Sequence, residues 1–362
     1  MNYYALLVAL IIVSALLLKG YQEGNKRYVI VACLLLFSIY GLRNTYVIGG
    51  DTKSSYLGNF WRMQAYSWKE VFDYTDGKNI LFYLFTKAFI TFVSDDYQLY
   101  ITVISAFVTI CVGVLIYRYS PNPLQSILYH FGLLYFIFHF SALKQSIAMA
   151  ILLLAFIKII DRKPFAFVLL VLLAGQFHFP SLVFLPAYWI ADIPIERKFL
   201  SVFAIALIVT YIFRNQLLNF MLNLYRESDA QEDLSEVRFL RNKALIMIVI
   251  IFVATVFRVP MKEDRCYCIL LKFMGIAVLL QTFCGYDNTF ERLADYYFQF
   301  SIVFIPMAFD KKAERRSLLS WRLMNVIDDL APYLFCAFGI YRFLDLVAHA
   351  EYLSPYRFFF QK

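Results

Sequence analysis

Apolar runs of about fifteen to twenty residues recur along the whole chain, separated by short polar segments. A helix of this length satisfies its own backbone hydrogen bonds and can cross the hydrocarbon of a bilayer. The pattern therefore predicts an all-α polytopic membrane protein with about twelve transmembrane helices. The expected spans are 3–18, 28–42, 98–117, 123–140, 143–160, 164–178, 180–193, 199–213, 242–259, 266–284, 292–309 and 331–348.

Positive charge clusters in alternate gaps between these runs. Cytoplasmic loops of membrane proteins carry the excess of Lys and Arg, so these gaps are expected in the cytoplasm and the N-terminus outside. Segments 43–97 and 214–241 then become the two long external loops. The basic gaps are 19–27, Arg118, 158–163, 197–198, 258–265 and 311–322.

Segment 80–93 breaks the simple alternation. It is apolar but short, and Lys87 interrupts it. If it spanned, Arg118 would fall outside, against the charge pattern. Segments of this length are typically re-entrant or interfacial, so we expect such a helix within external loop 43–97. Segment 317–330 has the pattern of a cytoplasmic amphipathic helix, and the chain, 1–362, is expected to form a single transmembrane domain.

Composition narrows the function. Hydrophobic residues make up 61% of the chain, and mean hydropathy is +0.64. The net charge of +8 is explained by loop topology, so no nucleic-acid partner is expected. No spacing of Cys, His, Asp or Glu demands a metal, and no cofactor is expected. Asp51, Asp287 and Glu291 could supply oxygen ligands to a divalent cation.

Four polar segments fall on the predicted external side. Ionisable side chains at or within a bilayer are costly, which makes these segments candidate functional sites. Arg and Lys can hold a diphosphate, and Asp51 or His178 can take a proton from an attacking hydroxyl. The four segments are Gly41-Leu42-Arg43 with Gly50-Asp51 and Tyr56; Lys144-Gln145-Ser146; Phe177-His178-Phe179-Pro180-Ser181; and Asp287 with Glu291, Arg292, Asp295 and Tyr296.

Each candidate also has a purely structural interpretation. Arg43 and Lys144 can anchor their helices at the headgroups. Asp51 after two glycines suits a turn, and His178 before proline can simply close a helical hairpin. Arg292 and Asp295 are spaced to form a pair on one helix face.

The ordered set of motifs resembles a known family. From about residue 40 to 310, the chain is similar to the EpsG-like, Wzy-type polysaccharide polymerases. This resemblance implies a GT-C-like membrane glycosyltransferase that joins oligosaccharide repeat units carried on undecaprenyl diphosphate. The reaction would take place on the outer face of the bacterial inner membrane, and its product would be O-antigen, capsule or exopolysaccharide. The motifs are Gly41-Leu42-Arg43, Gly50-Asp51 with Tyr56, Lys144-Gln145-Ser146-Ile147-Ala148, Phe177-His178-Phe179-Pro180-Ser181 and Arg292 with Tyr296-Tyr297.

The resemblance also implies roles for individual residues. Arg43, Lys144 and Arg292 would contact diphosphate, and Asp51 or His178 would be the base. The family usually has Arg-Gln where this chain has Lys144-Gln145, and Lys keeps the charge but loses the bidentate geometry. The remaining residues implied at the substrate site are Gln145, Tyr56, Asp295 and Tyr296. Expected partners are the lipid-linked oligosaccharide, membrane lipid and a chain-length regulator.

Two other classes fit a polytopic chain with basic sites. A lipid-linked oligosaccharide flippase would show pseudo-symmetric halves and cations deep within its spans, and neither is evident. A membrane O-acyltransferase would need a histidine on the cytoplasmic side, whereas His178 is predicted outside.

Overall fold

The computed structural model describes residues 3–75, 77–195, 199–213, 216, 242–257, 264–282, 288–310 and 321–361. Throughout these residues the regular structure is helical, with no strand, and extended backbone pairs only in an isolated bridge between Arg43 and Phe358. The contacts divide the chain into two compact units. Unit 1 comprises Met1–Leu185 and Ile327–Lys362, and unit 2 comprises Pro186–Val326.

Unit 1 holds eleven described helices before its final one. They are α1 (Tyr3–Leu18), α2 (Lys26–Tyr40), α3 (Gly50–Lys53), α4 (Ser55–Ala65), α5 (Trp68–Tyr74), α6 (Ile80–Phe92), α7 (Tyr97–Tyr119), α8 (Pro123–Gly132), α9 (Tyr135–Ser141), α10 (Leu143–Ile160) and α11 (Pro164–Phe177), followed by a 3-10 helix (Phe179–Phe184). The described helices of unit 2 are α12 (Ala187–Asp192), α13 (Phe199–Ile212), α14 (Asn242–Phe257), α15 (Arg265–Gln281), α16 (Asn288–Phe298) and α17 (Ser301–Ala308). The last helix, α18 (Trp321–His349), belongs to unit 1 from Ile327 onward.

Among the described residues, three helices are long and apolar enough to cross a membrane, namely Tyr97–Tyr119, Leu143–Ile160 and Asp329–His349. Shorter apolar helices accompany them at Tyr3–Leu18, Ile80–Phe92, Pro164–Phe177, Phe199–Ile212 and Ala244–Thr255. The chain is therefore an all-helical membrane protein, as its hydropathy pattern predicts. The count of about twelve spans and the GT-C-like arrangement stay predictions.

One predicted span, 123–140, is divided in the structure. Helix α8 ends at Gly132, and α9 begins after Leu134, which has a left-handed φ of 66°. The break lies where α8 crosses α18, because a Cβ on Gly132 would be 2.9 Å from the Cα of Gly339. Close backbone approach of this kind is typical of small residues at membrane helix crossings.

Adding one methyl group at this crossing should destabilise unit 1. We expect Gly132→Ala to lower the free energy of unfolding by about 1–3 kcal/mol, because backbone atoms must move apart to admit the Cβ. Thermal unfolding of the purified protein in detergent measures the change. Gly58→Ala is the control, since a Cβ there meets nothing within 4 Å, and equal melting temperatures for both variants would contradict the close crossing.

Two other predicted spans are also divided. Run 180–193 contains the 3-10 helix and α12, separated near Pro186, because proline lacks the N–H that a continuous helix needs. Run 292–309 breaks between α16 and α17, where the side-chain amide of Gln299 donates to the carbonyl of Tyr296 at 3.1 Å. Hydropathy alone does not mark either break.

The predicted auxiliary helices have different outcomes. Helix α6, Ile80–Phe92, occupies the segment expected to be re-entrant or interfacial, and its depth in the bilayer stays a prediction. Segments 317–330 and 331–348 were expected to be separate, whereas α18 runs from Trp321 through both with Pro332 inside it. Residues 317–320 and external loop 214–241, apart from residue 216, lie outside the described residues.

We call the end of unit 1 that contains Arg43 the Arg43 end. The Arg43 guanidinium lies over the rings of Tyr40, at the end of α2, and Phe140, in α9. The backbone carbonyl of Thr52 accepts a hydrogen bond from the hydroxyl of Tyr97, at the start of α7. The side-chain hydroxyl of Thr52 donates to the carbonyl of Phe140 at 2.7 Å. Helices α2 and α9 therefore end, and α7 begins, at the same end.

The opposite end of unit 1 carries the basic segments. There the backbone N–H of Leu124 donates to the carbonyl of Gly20 at 2.9 Å, so α8 begins beside the end of α1. The rings of Tyr119 and Phe156 lie 5.3 Å apart near the ends of α7 and α10. The basic segments at this end are 19–27, Arg118 and 158–163. These three basic segments therefore lie together at the end of unit 1 opposite Arg43, and the cytoplasmic orientation of this end stays a prediction.

Candidate functional site

Asp51 belongs to the short helix α3 and lies on the surface, just after a loop that contains Gly49. Gly49 has φ 123°, a conformation that favours glycine, and a Cβ there would meet the Thr52 hydroxyl at 2.1 Å. The Gly49 N–H donates to the carbonyl of Tyr352 at 2.8 Å, and the Thr52 hydroxyl donates to that of Phe140. Asp51 is exposed between these two anchors. Asp51 therefore lies exposed at the Arg43 end, between two residues that hydrogen-bond to other parts of unit 1.

Arg43 is fully buried, unlike a typical surface cation. Its Nη1 donates to the carbonyl of Tyr40 and its Nε to that of Ile48 at 3.3 Å, while its Nη2 has no hydrogen-bond partner among the described residues. The guanidinium carbon lies 4.9 Å from the Tyr40 ring centroid and 4.5 Å from that of Phe140. Burial lowers the pKa of this guanidinium, an effect that Tyr40 opposes. These contacts give Arg43 a packing role.

A C-terminal segment, residues 350–361, packs on this region. The N–H of Asn44 donates to the carbonyl of Arg357 at 2.8 Å, and the N–H of Phe359 donates to that of Leu42 at 3.0 Å. Direct contact between Arg43 and a phosphate would require this segment to move. The packing of this segment on unit 1 is not predicted from the sequence. The feature that could have indicated it is a cluster of aromatic residues. These aromatic residues are Tyr352, Tyr356, Phe358, Phe359 and Phe360.

The same segment reaches the beginning of the chain. The Tyr4 hydroxyl donates to the carbonyl of Leu353 at 3.1 Å, and the Tyr3 and Tyr356 rings lie 5.5 Å apart. The start of α1 and the residues after α18 therefore lie at one end of unit 1.

Lys144 lies at the beginning of α10 and is half-buried. Its Nζ donates to the hydroxyl of Tyr83 at 2.6 Å and lies 4.3 Å from that ring's centroid and 5.1 Å from that of Phe82. Its backbone N–H donates to the Tyr56 hydroxyl at 3.3 Å. No carboxylate among the described residues forms an ion pair with Lys144, so its charge is balanced only by aromatic faces and a phenol oxygen.

The residues after Lys144 point into the core of unit 1. Gln145 and Ser146 are buried, and the Ser146 hydroxyl lies 2.9 Å from Nδ1 of His139, which is itself buried. The His139 ring is 5.6 Å from that of His130. This polar cluster lies behind the surface that bears Lys144. The binding role predicted for the buried Gln145 stays a prediction.

Contacts of the residues next to His178 place it at the Arg43 end. It caps the C-terminus of α11, and the N–H of the following Phe179 donates to the side-chain oxygen of Asn79 at 2.8 Å. The Phe177 ring lies 6.2 Å from that of Phe85 in α6. His178 is half-buried. The structure therefore brings the turn at 177–181 beside helix α6, which also holds Tyr83.

The fourth predicted segment belongs to unit 2. On α16, Arg292 is exposed, whereas Asp295 and Tyr296 are buried. These three residues are spaced to share one helix face, but only Arg292 is exposed. Asp287 and the side chain of Glu291 lie outside the described residues. Of the four predicted segments, three meet at one end of unit 1.

No group of three or more metal-ligating side chains is found within the described part of the chain.

Comparison with known proteins identifies the family. Neither the curated proteins nor the solved structures give a match to this chain. A family model, that of the EpsG family, matches residues 2–358, which is nearly the whole length. The chain therefore belongs to the EpsG family.

Proposed function

We propose that this protein is a polysaccharide polymerase that joins oligosaccharide repeat units carried on undecaprenyl diphosphate, at the outer face of the bacterial inner membrane. The family supports a polymerase-like role in polysaccharide synthesis. The observation that carries the proposal is that Lys144, Asp51 and the His178 turn all lie at the Arg43 end of unit 1. This arrangement supports the proposal, because one end of unit 1 then offers a cation and two proton acceptors.

In the proposed reaction, a hydroxyl of one repeat unit attacks the anomeric carbon of the sugar at the end of the growing chain. A new glycosidic C–O bond forms, and the bond from that carbon to the diphosphate oxygen breaks. The hydroxyl proton passes to a base, and the electron pair of the broken bond leaves with the lipid diphosphate. No nucleotide sugar is consumed.

Two residues are assigned roles in this step. The Lys144 ammonium stabilises the charge that develops on the leaving diphosphate. The exposed Asp51 carboxylate accepts the hydroxyl proton, and His178 is the alternative base. Arg43 stabilises the loop that precedes Asp51, since its Nε donates to the carbonyl of Ile48.

Reconstitution tests the proposal directly. Purified protein in detergent, supplied with undecaprenyl-diphosphate-linked repeat units from the organism's own membranes, should produce a ladder of chain lengths on a gel. One undecaprenyl diphosphate should be released for each bond formed. The same repeat unit on a neutral alkyl lipid is the control, because it lacks the leaving group. Repeat units that remain single throughout would refute the proposal, and a flippase would give this result.

A further inference from the structure

Beyond Lys144, a second cation lies on the same surface of unit 1. Arg62 on α4 donates from Nη1 to the Tyr74 hydroxyl at 2.5 Å, and its guanidinium carbon is 5.2 Å from that ring's centroid. The Tyr74 ring meets the Tyr83 ring edge-on at 5.2 Å, and Tyr83 accepts from Lys144. Two cations are thus joined through two tyrosines contributed by α5 and α6.

Neither cation is neutralised by an acid among the described residues. Glu70, a nearby carboxylate on α5, instead accepts a hydrogen bond from the N–H of Ser67 at 2.7 Å, in a capping box that starts this helix. Hydrogen bonds from Ser67 lower the pKa of Glu70, so it remains committed to the cap. Arg62 itself is exposed, and Lys144 is half-buried. Positive charge is therefore left open to a ligand.

The hydrogen-bonding groups of this surface are mostly donors. Arg62 and Lys144 have donors only, and each shows a single side-chain hydrogen bond, leaving further N–H groups available. The hydroxyl of Tyr83 accepts from Lys144 and keeps its own proton to donate. The side-chain oxygen of Asn59 accepts from the Tyr74 hydroxyl at 3.3 Å. A neutral sugar needs donors and acceptors in balance, whereas a carboxylate or phosphate only accepts.

We propose that Arg62, Tyr74, Tyr83 and Lys144 form a binding site for an oxyanion, a phosphate or a carboxylate, carried by the lipid-linked saccharide. The identification of this substrate rests on the proposed function, whereas the anion preference rests on the donors and charges just described. The phosphate would be that of the lipid diphosphate, and the carboxylate that of an acidic sugar in the repeat unit. Arg62 would hold either group through its planar fork.

Anion titration of the purified full-length protein tests this site. Trp61 and Trp68 lie on α4 and α5, so their fluorescence should report ligand binding. The probes are sodium pyrophosphate and sodium glucuronate, each at constant ionic strength, with glucose as the neutral control. We expect Arg62→Gln to weaken binding of at least one anion by about tenfold or more. Arg118→Gln, an exposed arginine at the opposite end of unit 1, should leave both affinities unchanged.

The outcomes separate the two ligand sources. A loss confined to pyrophosphate identifies the lipid diphosphate, and a loss confined to glucuronate identifies an acidic sugar. Unchanged affinity of Arg62→Gln for both anions, or glucose binding as tight as theirs, would overturn the site. Because Arg62 is exposed, the variant should fold, and an unchanged melting temperature checks this. The assay needs no turnover, so a failed polymerisation assay would refute the proposed function and leave this result standing.

Discussion

Replacing Lys144 with glutamine is expected to reduce polymer formation by about 100-fold or more and to leave most products at one repeat unit. The ammonium has no carboxylate partner among the described residues, and its Nζ contacts the hydroxyl and ring of Tyr83. Its charge is therefore available to a leaving diphosphate, and removing one group of this kind typically costs a factor of about 10²–10³ in rate. Chain length on a gel and release of undecaprenyl diphosphate measure the effect.

Two further variants make the Lys144 experiment specific. Lys144→Arg should keep activity within about tenfold, because it retains the charge and adds the bidentate geometry that suits phosphate. Lys158→Gln removes a half-buried lysine from the opposite end of the same helix and should leave chain length unchanged. Normal ladders from Lys144→Gln would exclude this lysine from leaving-group stabilisation.

Much of the helical pattern could be predicted because hydropathy reports burial in a bilayer. Predicted spans 98–117 and 143–160 correspond to α7 and α10 within a few residues. The breaks could not be predicted in the same way. Leu134 lies in an apolar run, and its left-handed backbone comes two residues after Gly132, which approaches the distant Gly339.

The sequence indicates which segments contribute to the candidate site, but it does not indicate the contacts that their side chains make. Charge alternation predicts four polar segments on one side of the membrane, and those of Asp51, Lys144 and His178 lie at the Arg43 end of unit 1. The environment of Arg43 was not predictable, because its burial depends on the C-terminal segment, whose backbone pairs with Asn44 across more than three hundred residues. The role of Tyr83 was also hidden, since a tyrosine in an aromatic-rich segment gives no signal until α6 is placed beside α10.

Asp51 is expected to act as the base in the chemical step, so replacing it should lower the rate of that step. Asp51→Asn keeps the size and polarity of the side chain but removes its basicity, so the rate should fall by about 10²–10⁴-fold. Because Asp51 is exposed, the melting temperature should not change, and binding of the lipid-linked substrate should be retained. Single-turnover kinetics with a saturating repeat unit separates the loss of rate from a loss of binding.

Matched variants decide between the two candidate bases. Asp95→Asn neutralises another exposed carboxylate of the predicted external loop and should be fully active. His178→Asn should retain substantial activity if Asp51 is the base, because the α11 cap is made by the backbone N–H of residue 178 and survives the substitution. The reverse result, an inactive His178→Asn with an active Asp51→Asn, would transfer the role to His178. In either case the base would lie at the end of unit 1 that presents Lys144, so that proton removal and stabilisation of the leaving diphosphate act on one bound substrate pair.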